Sequence, residues 1–155
     1  MNIFIPEIII DFLKKFKCIK DKLNNYEIRE SINNAQINSK NIIIISGIKI
    51  FIQRMNINKN LLYMQNYVDH LRNIIGSCIV VLGGLLNKKA IIIVALTKDL
   101  SVKINAKYII HKLAKIIDGT GGGKTEFAQA GGSNYNNLDK ALSLAKKIIT
   151  KLIIS

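Results

Sequence analysis

The stretch Asp118-Gly-Thr-Gly-Gly-Gly-Lys124-Thr125 carries the residue types that cradle phosphate: closely spaced glycines, then a lysine and a hydroxyl. A nucleotide-binding phosphate loop needs glycine, any four residues, then Gly-Lys-Ser/Thr. Gly123-Lys124-Thr125 supplies the end of that pattern, but Asp118 stands where its first glycine belongs, and a carboxylate there would repel the bound phosphates. The motif also has to follow a buried strand and open a helix. Tyr108–Ile117 has helical periodicity instead, and Gly131 and Gly132 follow too soon for a helix to propagate. The stretch is not read as an ATP or GTP site.

The remaining chemistry-bearing residues are sparse. Cys18, Cys78, His70 and His111 are the only thiols and imidazoles, and none stands at a metal-ligand spacing. Asp69-His70 falls within an amphipathic helical pattern, as does His111, so both histidines are expected on polar helix faces. No catalytic residue, metal or cofactor is expected. Two isolated cysteines without a secretory signal fit a reducing compartment. The N-terminal Ile3–Ile10 stretch is broken by Pro6 and Glu7, and the longest uninterrupted apolar run, Ala90–Leu96, is far too short for a membrane span. A soluble, cytoplasmic protein with no membrane partner is expected.

These residues stand in a chain of 155 residues, 49% of them hydrophobic, which is enough for one domain with an added helix. The formal charge of +13 suggests an anionic partner. That inference is discounted by composition: 32 Ile, 20 Lys and 17 Asn are what an AT-rich coding sequence inflates, and only Arg29, Arg54 and Arg72 offer a bidentate fork. The excess is uneven, +2 over residues 1–40, +5 over 41–97 and +6 over 98–155, so an anion-binding surface belongs in the last three-quarters.

The elements follow from periodicity. From Pro6 to about Ser31, apolar residues at Ile9, Phe12, Phe16, Ile19, Leu23 and Tyr26 are spaced 3, 4, 3, 4 and 3 apart, an a/d seam. It suits either a coiled-coil helix that pairs two chains or a helix lying on its own domain. Asn33–Asn41 reads as a linker. Asn41–Ile52 reads as strand, turn, strand about Ser46-Gly47, or as one bulged strand. Leu61–Ile75 forms a helix ended by Gly76. Ile79–Leu82 and Ala90–Leu96 are strands around Gly83-Gly84 and a Lys88-Lys89 turn. Ile109–Ile117 is a helix stopped by Gly119, and Leu138–Leu152 is a last helix with Asn136 or Asn137 as N-cap. The expected fold class is α/β (α+β): a mixed β-sheet flanked by helices and preceded by a coiled-coil-like N-terminal helix. The boundaries are 1–38 for the helical oligomerisation segment and 41–155 for the globular domain.

Gly121-Gly-Gly-Lys-Thr-Glu-Phe-Ala-Gln-Ala-Gly-Gly132 resembles the hallmark of the C-terminal, DHH-associated domain of alanyl-tRNA synthetases: three glycines, a basic residue, Pro-Asp-Met or similar, then Ala-Gln-Ala-Gly-Gly. Upstream, Gly76-Ser-Cys-Ile-Val-Val-Leu-Gly83, Thr97-Lys98-Asp99-Leu100 and Gly47-Ile-Lys-Ile-Phe51 are similar to further stretches of that family. The likeness covers nearly all of residues 41–155. Where the family has Arg-Pro-Asp-Met, this chain has Lys124-Thr125-Glu126-Phe127, which keeps the charge but loses the arginine fork.

The resemblance implies a non-catalytic module that binds tRNA, alanine-specific by analogy, and that oligomerises. Its partners would be tRNA and either a second copy of the chain or a separately encoded catalytic half. The implied nucleic-acid-binding residues are Gly121, Gly122, Gly123, Lys124, Gln129, Gly131, Gly132, Lys88, Lys89 and Lys98, with Lys103 as a further cation. The implied oligomerisation residues are Ile9, Phe12, Phe16, Ile19 and Leu23. The chain has no room for an alanylation domain, and it lacks the histidine and cysteine spacings of the family's editing site. Two other readings stay open: an accessory nucleic-acid-binding domain of a DHH-type phosphoesterase, and a purely structural dimerisation module. The glycines themselves admit two roles, a backbone nest for an anion or tight turns. Tyr135 is a candidate stacking platform for a base.

Overall fold

The protein is described by a computed structural model, which defines residues 7–34, 39–55 and 61–155, without side-chain detail for 21, 23–34 and 39. The chain divides into two units, 1–36 and 37–155.

The first unit contains helix α1, Glu7–Asn34, whose 28 residues make a rod of about 42 Å. Ile8, Ile9, Phe12, Phe16 and Ile19 are exposed along it, and the Phe12 and Phe16 rings stack at 6.5 Å. The side chain of Leu23 lies outside the described residues.

The second unit is a six-stranded sheet in the order β1-β2-β3-β4-β6-β5. Strands β1 (Ile42–Ile45) and β2 (Ile48–Met55) form an antiparallel hairpin. Ser46 and Gly47 turn it with φ of 50° and 78°, the pair of left-handed residues that a two-residue hairpin requires. Helix α2 (Leu61–Ile75) then crosses over to β3 (Cys78–Leu86), which lies parallel to β2. Gly76 ends α2 at φ 83°, and its N–H donates to the Arg72 carbonyl.

Strand β4 (Lys89–Leu96) returns antiparallel to β3. The turn is Asn87-Lys88, at φ 49° and 61°, so the expected Lys88-Lys89 turn is shifted by one residue and Lys89 opens the strand. Gly83 and Gly84 lie inside β3 rather than between strands. They bring two helices close: a β-carbon at Gly83 would sit 3.0 Å from Leu138 Cδ1, and one at Gly84 would sit 3.2 Å from the Met64 thioether.

Short helix α3 (Lys98–Ser101), which sequence periodicity does not reveal, precedes α4 (Ala106–Ile116). Asn105 caps α4, its side chain accepting from the Lys107 N–H at 2.9 Å. The helix ends on Asp118, at φ 52°, and not on Gly119, which already belongs to strand β5 (Gly119–Gly123). Strand β6 (Phe127–Gly132) and helix α5 (Leu138–Ile154) complete the chain. Asn137 stands at the start of α5 but donates from Nδ2 to the Ile116 carbonyl at the end of α4, so it ties two helices together instead of capping one.

Helix α2 packs on one face of the sheet and α4 and α5 on the other. The alternation of side chains supplies both faces. Ile79, Val81, Ile92, Val94, Ala128 and Ala130 face α4 and α5 and are essentially buried. Phe51, Val80, Leu82, Ile93 and Ala95 take the opposite positions and are fully buried. Cys78 lies on this second face, and burial pushes its thiol up to about 11, with the Arg72 guanidinium drawing it partly back.

Candidate nucleic-acid interface

The expected glycine-rich loop is a pair of antiparallel strands. β5 and β6 pair from Gly119↔Gly132 to Gly123↔Ala128, and β6 pairs in turn with β4 from Ala90↔Gly132 to Ala95↔Phe127. A strand after a helix, at the sheet edge, is the wrong context for a nucleotide phosphate loop. The turn between the two strands is pinned at three points. Lys124 N–H donates to the Phe127 carbonyl at 2.7 Å, Leu96 N–H to Glu126 O at 2.8 Å, and Ala106 N–H, at the start of α4, to Thr125 O at 3.0 Å.

The glycines fall into two groups. Four are required by close packing. A β-carbon at Gly121 would come within 2.6 Å of Ile110 Cγ2 on α4 and 2.8 Å of the Gln129 carbonyl, and one at Gly132 within 2.1 Å of the Ile117 carbonyl. At Gly119 and Gly123 it would meet the β6 backbone at 2.0 and 2.3 Å. Gly122 and Gly131 are different. A β-carbon at Gly122 would meet no described atom within 4 Å, and one at Gly131 only the Ala90 carbonyl at 3.9 Å. Packing does not require glycine at either position.

Register explains the division. Gly131 pairs with Ile91 and Thr120, and Gln129 pairs with Ile93 and Gly122. These residues share the α2 face of the sheet with Lys89 and Phe127. Among the described residues of this unit, helix α2 covers β3 and part of β4 and leaves a strip of β6 and β5 open. Its floor is the Gly122–Gly131 backbone, exposed Thr120 and half-buried Ile91. Its wall is marked by a bond from Gln65 Nε2 of α2 to Gln129 Oε1, at 2.9 Å. That bond uses one group of each amide. Among the described residues, the Gln129 NH2 and the Gln65 carbonyl oxygen stand as an adjacent donor and acceptor.

The implied cations do not form one patch. Lys88 and Lys89 lie at the end of β4 beside Gly131 and Gly132. Lys98 and Lys124 lie at its other end, about 23 Å away over eight residues. All four are exposed, and Lys89 projects from the face that carries the open strip. Gly121, Gly123 and Gly132 sit among the packed glycines. Thr97 accepts at Oγ1 from the Cys78 N–H, and Ser77 donates to the Asp99 carboxylate, so the Thr97-Lys98-Asp99 segment is a brace between β3 and β4. The Ser77 and Thr97 hydroxyls hold the Asp99 carboxyl below its ordinary value. Tyr135 is exposed on a 3-10 turn beyond β6.

Two contributors escaped the sequence reading. Gln65 is 64 residues from Gln129, and periodicity marks it only as a polar position. Phe127 was legible in principle: read as a strand, Phe127-Ala-Gln-Ala-Gly places Phe127, Gln129 and Gly131 on one face. Among the described residues no group of three or more histidine, cysteine or carboxylate side chains could hold a metal ion. No described helix is long and apolar enough to cross a membrane.

Residues 47–151 match the family model of the DHHA1 domain. The chain is 34% identical over 128 residues to the alanine–tRNA ligase of Buchnera aphidicola subsp. Baizongia pistaciae, and 37% over 90 residues to that of Anaeromyxobacter dehalogenans. These alignments cover 83% and 58% of this chain but only 14% and 10% of the two ligases. Among solved structures, the C-Ala domain of Aquifex aeolicus alanyl-tRNA synthetase superposes with a TM-score of 0.64 at 24% identity, over 70% of this chain and 97% of that domain. A DHH-domain protein described as belonging to a family of ribosomal proteins superposes at 0.54 with 12% identity, over 84% of this chain and 31% of that one. The likeness to both solved structures is one of fold.

Proposed function

The chain belongs to the DHHA1 domain family, and from that premise we propose that it is a non-catalytic tRNA-binding module, of the kind attached to alanine–tRNA ligases, that acts through the open strip of β5 and β6. One observation carries this reading: Gly122 and Gly131 have no side chain although the packing leaves room for one. A bare backbone lets a flat or bulky polyanion come within contact distance. The amide pair Gln65–Gln129 stands at its edge to read an exposed base, Phe127 and Ile91 offer apolar surface, and Lys89 and Lys88 attract phosphate. The alanine–tRNA ligase relatives and the excess of positive charge support the same partner.

The exposed seam Ile9, Phe12, Phe16 and Ile19 on α1 supports pairing with a second copy through that helix. Leu23 continues the seam in sequence. A separately encoded catalytic half is the other partner proposed.

Fluorescence anisotropy of folded tRNA against the protein across a salt series tests the reading, with a Gly122→Val/Gln129→Ala variant alongside. Salt-sensitive binding that the variant weakens by about tenfold supports the open strip as the contact. Unchanged binding in the variant moves the contact elsewhere. Preference for a single-stranded oligonucleotide over folded tRNA replaces the reading with a DHH-type accessory role. No binding at low salt leaves a structural module.

A further inference from the structure

A second surface lies on the opposite side of the sheet. Helices α4 and α5 pack against each other, and their outer sides enclose a groove of about 380 Å³. Leu144, Ile148 and Leu152 of α5 form its floor, each half-buried and packed on the core below. Its banks are basic on both sides, with Lys112 on α4 and Lys147 and Lys151 on α5, all exposed. Tyr108 completes the α4 bank, with Lys112 Nζ 4.7 Å from its ring centroid. Among the described residues no carboxylate lines the groove.

We infer that this groove docks an acidic amphipathic α-helix supplied by another polypeptide. Three features select that occupant. The floor residues repeat every four positions over two turns of α5, about 12 Å, which is the reach of an i, i+4, i+7 apolar face on a partner helix. Lys147 and Lys151 stand four apart, an arrangement that repels itself on a helix surface, and carboxylates on the partner relieve that repulsion. An RNA backbone would satisfy the lysines but has no apolar surface to lay on Leu144, Ile148 and Leu152. The α1 helix of a second copy carries six basic residues against five carboxylates, so it lacks the acidic excess that these banks select. The groove and the open glycine strip lie on opposite faces of the sheet, so the two ligands bind together rather than compete.

The test uses the full chain and a fluorescent synthetic helix with leucines at i, i+4 and i+7 flanked by glutamates. Its glutamine-substituted analogue reports the charge requirement. Binding of the glutamate peptide weakens by about tenfold or more in Lys147→Glu/Lys151→Glu and stays near the parent value in Lys88→Glu/Lys98→Glu, which carries the same net charge change. Circular dichroism melting verifies that both variants fold. Excess folded tRNA leaves the peptide bound. Equal loss in both variants, equal binding of the glutamine analogue, or displacement by tRNA or by phosphatidylserine vesicles each overturns the inference.

Discussion

Gly121 and Gly122 are neighbours in one strand, yet opposite physics accounts for them. Gly121 faces α4, where Ile110 leaves no space for a methyl group, and Gly122 faces outward into open space. The same contrast separates Gly132 from Gly131 on β6. One face of the β5–β6 pair is glycine because a helix lies against it, and the other is glycine although nothing described covers it. The first is a requirement of the fold. The second is where a ligand can reach the backbone.

The contrast can be broken most sharply with single methyl groups. Gly132→Ala drives a β-carbon into the Ile117 carbonyl, a backbone atom that no rotamer change can move, and should cost about 3 kcal/mol or more. Urea unfolding measures it, and a loss below about 1 kcal/mol would show that the strands yield easily. Gly122→Ala should do the reverse, leaving stability unchanged or raised by about 0.5 kcal/mol while weakening tRNA binding. An equal loss of stability in both variants would erase the distinction between the faces.

Smaller effects sharpen it. A double-mutant cycle with Gln65→Ala and Gln129→Ala should show coupling of about 1 kcal/mol in tRNA binding, because each amide orients the other; additive losses would separate the two side chains. Lys124→Ala should weaken tRNA binding evenly across sequences and reduce the salt slope by about 1 if that lysine meets a phosphate. The covered part of the α2 face provides a control through Cys78. Its thiol is raised from 9.0 to about 11 by burial, so the neutral form is favoured in the folded state. That contribution to stability is complete below the ordinary thiol value and is lost as pH rises through about 11. Melting across this range should therefore fall more steeply for the parent than for Cys78→Ala. A maleimide should modify exposed Cys18 at once and Cys78 only on unfolding.

Much of the architecture was legible because its causes are local. The β-branched run Ile42–Ile45 with Ser46-Gly47 announced either a hairpin or one bulged strand, and the pairing of β1 with β2 is the hairpin. The 3–4 spacing of Leu61, Met64, Val68, Leu71 and Ile75 announced α2, and Leu138–Leu152 announced α5. Where the reading slipped, a distant partner had overridden local signals. Gly83-Gly84 looks like a break in a strand, but the two glycines continue β3 because Leu142 and Met64 press on them from opposite sides. Gly119–Gly123 looks like a loop because glycine has poor strand propensity, yet its pairing with β6 and the cover of α4 make it a strand. Asn137 looks like a cap, and the Ile116 carbonyl claims it.

Hydrophobic period, turn residues and the Ala-Gln-Ala-Gly-Gly element are properties of short windows, so the chain by itself determined the long helices, most strands and the family. Which glycine is packed and which is bare depends on register across β4, β6 and β5 and on where α2 stops covering the sheet. The meeting of Gln65 with Gln129 depends on the crossover that lays α2 beside β6. Those are contacts between residues far apart in sequence, fixed only when apolar faces from the whole chain are buried together, and tertiary structure alone decided them.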